Sequence, residues 1–180
     1  MLMSADTSCL LVVDVQARLL PNMTAPDAVV ANTAVLIKAA QRLGVPVLVS
    51  EQYPRGLGRT VPELAGLVAE GQTVEKVHFS CVAEEGFARR FRDLDRRQAV
   101  VAGVEAHVCV LQTVLDLLDA GTETFVVEDA SSSRTVRNHT AAMQRMREAG
   151  AHVVTTEMAV FEWLAKAGTP EFRELSALIK

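Results

Sequence analysis

Three side chains in this sequence are of the types that nucleophilic acyl transfer needs: the thiol of Cys109, the carboxylate of Asp14 and the ammonium of Lys76. A thiolate attacks a carbonyl carbon, a carboxylate accepts and returns a proton, and an ammonium stabilises both negative charges. Each also has a purely structural interpretation. Asp14 could cap the following segment, Lys76 could be a solvated surface residue, and Cys109 could be a small buried apolar residue. The chemistry therefore depends on whether the fold brings the three together.

The candidate nucleophile Cys109 lies just after a predicted change from strand to helix. Residues 98–103 form a short Val-rich run typical of a buried strand, whereas apolar residues recur at helical spacing from Ala106 until Gly121. Cys109 is therefore predicted in the first turn of a helix, after a sharp turn over 103–107. Unpaired N–H groups and the helix dipole favour a thiolate there, so we expect a lowered pKa for Cys109. The same N–H groups can stabilise an oxyanion.

Predicted strands and helices alternate about six times along the chain, which favours a doubly wound parallel α/β sheet with helices on both faces. The strands are predicted at 9–13, 45–50, 73–77, 98–103, 124–127 and 151–155. The helices are predicted at 27–43 (with Asp27 as its cap), 64–69, 84–94, from 106 to about 120, 136–149, 157–167 and after 170. Ligands of such sheets bind outside the carboxyl ends of the strands, where Asp14, Lys76 and the turn before Cys109 all fall.

Length and composition limit the possible classes of protein. A chain of 180 residues fits one domain, 1–180, and its net charge of −4 without a basic block argues against a nucleic-acid partner. The apolar runs are too short to span a membrane, and the N-terminal run carries an aspartate, which indicates a strand rather than a signal peptide. Three cysteines, an odd number, do not form a disulfide framework. We therefore expect a reducing, cytoplasmic compartment.

Several segments of the chain carry a family resemblance. The sequence resembles the isochorismatase-like cysteine hydrolases and is most similar to the subgroup of isochorismatase domain-containing proteins. The matching segments cover nearly the whole chain: LLVVDVQARLLP at 10–21, SEQYPRGLGRTVPEL at 50–64, EKVHFSC at 75–81, AGVEAHVCVLQTVLDLL at 102–118, VVEDASSSR at 126–134 and RMREAGAHVVTTE at 145–157.

The resemblance implies a fold and a mechanism. The fold is a three-layer αβα arrangement around a six-stranded parallel sheet in the order 3-2-1-4-5-6. The implied catalytic triad is Asp14, Lys76 and Cys109, with a cis peptide between Val104 and Glu105. Backbone N–H groups of Glu105 or Ala106, together with that of Cys109, would bind the oxyanion. The implied reaction is hydrolysis of an amide or related C–N bond through a thioester.

The sequence departs from two branches of this superfamily. Metal-binding nicotinamidases carry an Asp-x-His pattern after the second strand, where this chain reads SEQYPRG. The four histidines, at 78, 107, 139 and 152, lack ligand spacing, so we expect neither a metal nor another cofactor. True isochorismatases lack the nucleophilic cysteine at this position, so the presence of Cys109 argues against isochorismatase activity.

Candidate pocket residues follow from their predicted loop positions, including the long loop at 51–62. They are Gln16, Leu20, Tyr53, Phe79, His107 and Ser131. The resemblance also implies a homo-oligomer acting on a small-molecule substrate. Two alternatives to the enzyme remain open from sequence: a non-catalytic oligomeric binding or scaffold protein, and a thiol used for redox sensing.

Overall fold

A computed structural model of the chain describes residues 1–179. At its centre lies a six-stranded sheet in the order β3-β2-β1-β4-β5-β6, and every neighbouring pair of strands is parallel. The strands are β1 Ser8–Val13, β2 Val47–Gln52, β3 Thr73–Lys76, β4 Gln98–Val104, β5 Glu123–Ser132 and β6 His152–Val154. The predicted sheet order and the all-parallel arrangement are therefore confirmed.

Within residues 1–179, eight α-helices and two other helical turns accompany the strands, and the last two helices follow β6. The helices are α1 Pro26–Leu43, α2 Pro54–Leu57, α3 Pro62–Ala65, α4 Glu85–Asp93, α5 Leu111–Asp119, α6 Val136–Glu148, α7 Thr156–Leu164 and α8 Pro170–Ser176. A 3₁₀ turn at Leu20–Asn22 precedes α1, and a π-helical turn at Ala106–Val110 precedes α5. Over residues 1–179, none of the helices combines the length and apolarity that a membrane crossing needs.

The alternation of side chains along β1 divides the core into two layers. Leu10 and Val12 pack with buried residues of α1, α7 and α8, whereas Leu11 and Val13 pack with those of α4, α5 and α6. Because helices cover both faces, β1 is buried throughout and reads as a continuous apolar run. The result is the predicted three-layer αβα architecture.

Two strands extend further than the sequence predicts. Strand β2 continues to Gln52, so Glu51 and Gln52 lie in the sheet and not in the predicted loop at 51–62. Strand β5 continues to Ser132, so Ser131 lies in a strand and not in a polar loop. The polar stretch of β5 passes through a bulge, since Val101 and Gly103 of β4 pair with residues that lie five apart in β5, Val126 and Ser131. Such polar strand ends resemble loops in sequence.

The predicted cap of the first helix is wrong. Helix α1 begins at Pro26 with Ala25 as the N-cap residue, and Asp27 makes no capping hydrogen bond from the first turn. Proline suits this first position because its fixed backbone angle is helical and it has no N–H group to satisfy. The helix predicted at 157–167 ends earlier, at Leu164, since Ala165 adopts a left-handed conformation.

Gly103 lets β1 and β4 approach closely beside the candidate site. Its φ of 121° is one that L side chains rarely adopt. A Cβ atom built on Gly103 would overlap the backbone carbonyl oxygen of Val13. The carboxyl end of β1, which leads into Asp14, therefore lies directly against the strand that leads to Cys109.

Candidate active site

The carboxyl ends of β1, β2 and β3 bring an ion pair into the protein interior. Asp14 directly follows β1, Ser50 lies in β2, and Lys76 is the last residue of β3. The Lys76 Nζ donates to Asp14 Oδ2 at 2.8 Å, and the Ser50 hydroxyl donates to Asp14 Oδ1 at 2.6 Å. Both charged side chains are fully buried, at 0% exposure. Such a pair needs further hydrogen bonds to offset the cost of removing two charges from water.

The ammonium of Lys76 has four acceptors within hydrogen-bonding distance. Besides Asp14, they are Gln52 Oε1 at 2.6 Å, the Phe79 carbonyl oxygen at 3.0 Å and the His78 carbonyl oxygen at 3.2 Å. Burial acts to lower the pKa of Lys76, but the neighbouring charges, Asp14 first among them, outweigh it and hold that pKa above its usual value. Lys76 is therefore a fixed cation at neutral pH.

The thiol of Cys109 is buried beside this ion pair. Strand β4 ends at Val104, the Val104–Glu105 peptide is cis as the resemblance implies, and the π-helical turn that follows carries Cys109. The N–H groups of Val108 and Val110 both donate to the Glu105 carbonyl oxygen. Cys109 is 4% exposed, so access to its sulfur is narrow.

The expected lowering of the Cys109 pKa is wrong. Burial raises the pKa of Cys109 and the Asp14 carboxylate raises it further, while Lys76 acts in the opposite direction without cancelling them. Burial penalises the charged form of a thiol, and here it outweighs the helix dipole. Cys109 is therefore a neutral thiol at rest beside a carboxylate that can accept its proton.

Glu105 and His107, in the turn before Cys109, contact the connection between β5 and α6. The Glu105 carboxylate accepts from Arg134 Nε at 2.7 Å, and His107 Nε2 lies 3.9 Å from the same oxygen. His107 Nδ1 is 3.0 Å from the Ser133 hydroxyl. His107 thus joins the turn that carries Cys109 to Ser133, and its place in a substrate pocket stays a prediction.

Tyr53 and Phe79 are the predicted pocket residues that remain available to a ligand. They are 55% and 52% exposed, and the Phe79 backbone contacts Lys76 directly. A cavity of about 330 Å³ opens next to Tyr53. Its lining residues are Tyr53, Pro54, Arg55, Glu75, Lys76, Val77 and Glu84.

The other three predicted pocket residues have structural partners instead. The Gln16 amide bonds to both backbone groups of Gln52 and to the Gly58 carbonyl oxygen. Leu20 packs into the core beneath α1. The Ser131 hydroxyl donates to the Val127 carbonyl oxygen within the bulge of β5, on the rim of a different cavity. A part for Gln16, Leu20 and Ser131 in substrate binding stays a prediction.

Side chains outside the predicted site residues also contact the candidate triad or the turn before Cys109. Ser50 donates to Asp14, Gln52 accepts from Lys76, and Arg134 donates to Glu105. The predicted loop at 51–62 includes Gln52, although Gln52 is the last residue of β2. The position of Gln52, two residues after Ser50, was a usable signal, because alternate residues of a strand share one face.

The segment SEQYPRG, at the end of β2, contains a carboxylate with three hydrogen-bond donors. Glu51 accepts from the Thr60 backbone N–H at 2.7 Å, the Thr60 hydroxyl at 2.8 Å and Arg59 Nη1 at 2.8 Å. Burial acts to raise the pKa of Glu51, but these hydrogen bonds hold it below the usual value. Within residues 1–179, no three His, Cys, Asp or Glu residues are arranged to hold a metal ion.

The two remaining cysteines, Cys9 and Cys81, are buried and form no disulfide. Burial raises the pKa of Cys9 to about 12 and that of Cys81 to about 11. Cys81 lies close to the ion pair, with its sulfur 3.4 Å from the Ser50 hydroxyl. Both thiols are neutral at physiological pH and fully enclosed.

Comparison with known proteins identifies the family. The isochorismatase domain model matches residues 8–158, and this chain belongs to that family. Among its relatives is isochorismatase domain-containing protein 2 of Macaca fascicularis, which is 39% identical over 179 residues, covering 97% of this chain and 83% of the relative. Family membership supports a hydrolase role.

Solved structures share the fold over nearly the full length. MAR1 ribonuclease from Caenorhabditis elegans superposes with a TM-score of 0.93 at 34% identity, covering 99% of this chain and 92% of that one. YcaC from Pseudomonas aeruginosa, solved with hexane-2,5-diol and covalent acrylamide, superposes with a TM-score of 0.92 at 25% identity, covering 98% of this chain and 91% of that one. The Escherichia coli YcaC protein, described as an octameric hydrolase of unknown specificity, superposes with a TM-score of 0.93 at 24% identity, covering 99% of this chain and 90% of that one.

Proposed function

We propose that this protein is a cysteine hydrolase that cleaves a C–N bond in a small amide or carbamoyl compound. Cys109 is the nucleophile, Asp14 the general base and acid, and Lys76 the cation that stabilises the charges on both. The observation that carries this proposal is the buried Asp14–Lys76 ion pair beside a buried thiol at the carboxyl ends of the strands. Membership of the isochorismatase family supports it.

The reaction proceeds in two acyl transfers. Asp14 takes the proton of Cys109 as the sulfur attacks the carbonyl carbon, and the oxyanion accepts hydrogen bonds from the N–H groups of Glu105 or Ala106 and of Cys109. The protonated Asp14 then gives its proton to the leaving nitrogen as the C–N bond breaks, which leaves a thioester. Water, deprotonated by Asp14, attacks the thioester and releases the acid and the thiol.

The surroundings of the site suit a small substrate in an oligomer. The cavity of about 330 Å³ is at the low end of ligand pockets, and its lining includes Lys76 but neither Asp14 nor Cys109. Tyr53 and Val77, which line it, are exposed apolar side chains, and Phe79 is exposed too. Burial of such side chains against a second copy favours a homo-oligomer, and Escherichia coli YcaC is described as an octamer. Three cysteines that form no disulfide fit a reducing, cytoplasmic compartment.

A ribonuclease is the second candidate, because the Caenorhabditis elegans relative bears that name. The net charge of −4 and the 4% exposure of Cys109 favour a small neutral substrate over a polyanion. RNA therefore belongs among the compounds tested, beside simple amides and carbamoyl compounds.

The direct test measures turnover of p-nitrophenyl acetate, an activated acyl donor, and of a series of primary amides. Wild type is expected to hydrolyse the ester catalytically, and Cys109→Ala, a small change at a buried position, is expected to fold and lose that turnover. Cys9→Ala is the matched control, because Cys9 lies in β1 among core residues. Equal ester hydrolysis by wild type and Cys109→Ala contradicts the proposal. RNA cleavage that survives Cys109→Ala favours a different site.

A further inference from the structure

The hydrogen bonds around Lys76 leave its ammonium no spare hydrogen. An ammonium has three N–H donors, and four oxygens already surround this one. Gln52 Oε1, at 2.6 Å, is the shortest of the four contacts. Lys76 therefore acts through the position of its charge and not through a hydrogen bond to substrate, and whatever fixes its Nζ atom also fixes that charge.

Gln52 is itself held so that its oxygen must face Lys76. Its Nε2 atom donates to the Val77 carbonyl oxygen at 2.9 Å, so a flipped amide would place an N–H group against the ammonium and an oxygen against a carbonyl. The Gln52 backbone N–H and carbonyl oxygen both pair with the amide of Gln16, at 2.7 and 2.9 Å. The side chain is buried, at 8% exposure, so solvent does not compete for these bonds.

We propose that Gln52 is a positioning residue for Lys76, and that its neutrality is essential: it fixes the ammonium without adding a second negative charge beside Cys109. This inference rests on the proposed function and adds to it a residue outside the triad. A carboxylate at this position would make the same contact with Lys76 and would also compete with Asp14 and with the Cys109 thiolate for the one cation.

Few charged groups surround Gln52 and Lys76. The titratable groups that act on Lys76 are Asp14 after β1, Cys81 after β3 and Cys109 after β4. Asp14 is the one carboxylate among them, and it balances the single ammonium. Replacing Gln52 by Glu changes the balance to two carboxylates and one ammonium, so forming a thiolate adds a third negative charge.

The test compares alkylation of Cys109 by iodoacetamide in wild type, Gln52→Glu and Gln52→Met. The rate is measured from about pH 6 to 10, either side of the ordinary thiol pKa, by mass spectrometry of the Cys109 peptide. Gln112→Glu, on the exposed face of α5, is the matched charge control. Circular dichroism and urea unfolding establish that each variant is folded.

Gln52→Glu is expected to slow alkylation at about pH 8 by about tenfold or more, which is one unit of thiol pKa. Gln52→Met, which loses the acceptor but adds no charge, is expected to slow it less, and Gln112→Glu is expected to match wild type. The inference is wrong if Gln52→Glu follows the wild-type pH profile, or if Gln52→Met is slowed as much as Gln52→Glu, because the second result indicates a packing role.

Ester turnover separates this inference from the hydrolase proposal. Gln52→Glu is expected to lower kcat about tenfold with little change in KM, because the cation acts on the reacting thiol. If the alkylation profile shifts as described while wild type shows no turnover, the role of Gln52 stands and the hydrolase proposal fails. If Gln52→Glu does not fold, the pH profile of Cys109 alkylation in Gln52→Met is the deciding measurement. A Gln52→Met profile equal to that of wild type overturns the inference.

Discussion

At the scale of single residues, Asp14 has the most demanding position in the site. Its backbone is left-handed, with φ 53°, a conformation that Asp tolerates better than most residues. Ser50 occupies one carboxylate oxygen and Lys76 the other. These contacts fix the carboxylate in one orientation beside Cys109, which is what a group that accepts and returns one proton requires.

Lys76 is expected to support the reactivity of Cys109 through its charge. Because the ammonium lowers the pKa of that thiol against the effects of burial and Asp14, Lys76→Met is expected to raise it further and slow alkylation at neutral pH about tenfold or more. The variant also leaves Asp14 unpaired in the interior, at a cost of about 3–5 kcal/mol of unfolding free energy.

The measurement for Lys76→Met is iodoacetamide labelling of Cys109 together with urea unfolding. Lys38→Met, an exposed position on α1, is the control and is expected to match wild type in both. Unchanged labelling in a folded Lys76→Met protein would show that the cation does not act on the thiol.

At the scale of elements, the connection from β2 to α3 depends on one buried carboxylate. The Glu51 carboxylate accepts hydrogen bonds from Thr60 and Arg59, which lie in this connection. Gln16, in the connection between β1 and α1, donates to the Gly58 carbonyl oxygen in the same segment. Tyr53 is thereby placed at the mouth of the cavity. The loop predicted from sequence is thus an anchored structure that includes helix α2.

Glu51→Gln is expected to lower the unfolding free energy by about 1–3 kcal/mol at neutral pH, because charge-assisted bonds to buried donors are lost. The pKa of Glu51 is lowered in the folded protein, so its contribution is present above the ordinary value of 4.5 and disappears as the pH falls through the lowered pKa. The difference between wild type and variant should therefore shrink in acid.

Urea unfolding at neutral pH and at about pH 3, below the ordinary Glu pKa, measures that difference for Glu51→Gln. Glu63→Gln, at an exposed position of α3, is the control. A difference that stays constant into strong acid would mean that the Glu51 charge does not anchor the loop.

The turn that carries Cys109 is the second element that side chains hold in place. Arg134 is largely exposed, but its Glu105 partner is buried. Arg134→Met is therefore expected to loosen the turn and slow ester turnover about tenfold, the usual scale of effect when a group that orients a reacting residue is lost. Arg137→Met, exposed on α6, should behave as wild type, and equal turnover in both variants would exclude this role for Arg134.

At the scale of the whole molecule, the alternation of strands and helices was enough to predict a parallel sheet with Asp14 and Lys76 at strand ends. The sheet order and the cis peptide came from the family resemblance. The polar end of β2 resembles a loop in sequence, and the spacing of Gln52 from Ser50 is the one local signal of its place in the strand. The pKa of Cys109 could not be predicted, because it depends on burial that no local pattern encodes.

Strands β1 and β4 approach each other closely at Gly103, so its replacement is expected to destabilise the whole fold. Gly103→Ala places a Cβ atom on the Val13 backbone at a positive φ, and we expect a loss of more than about 3 kcal/mol, large for a single substitution. Gly121→Ala has a similar backbone cost but open space around it, so about 1–2 kcal/mol is expected. Thermal unfolding compares the two, and equal losses would contradict the close approach of β1 and β4.

If Cys109 is the nucleophile of this site, the acyl group of a substrate is transferred to its sulfur, where it can be located on the protein. Wild type is mixed with p-nitrophenyl acetate, quenched in acid during turnover, digested and mapped by mass spectrometry. We expect a thioester on the Cys109 peptide, with none on the fully buried Cys9 and Cys81. An acetyl group on another residue, or ester turnover with Cys109 unmodified at every quench time, would contradict the account.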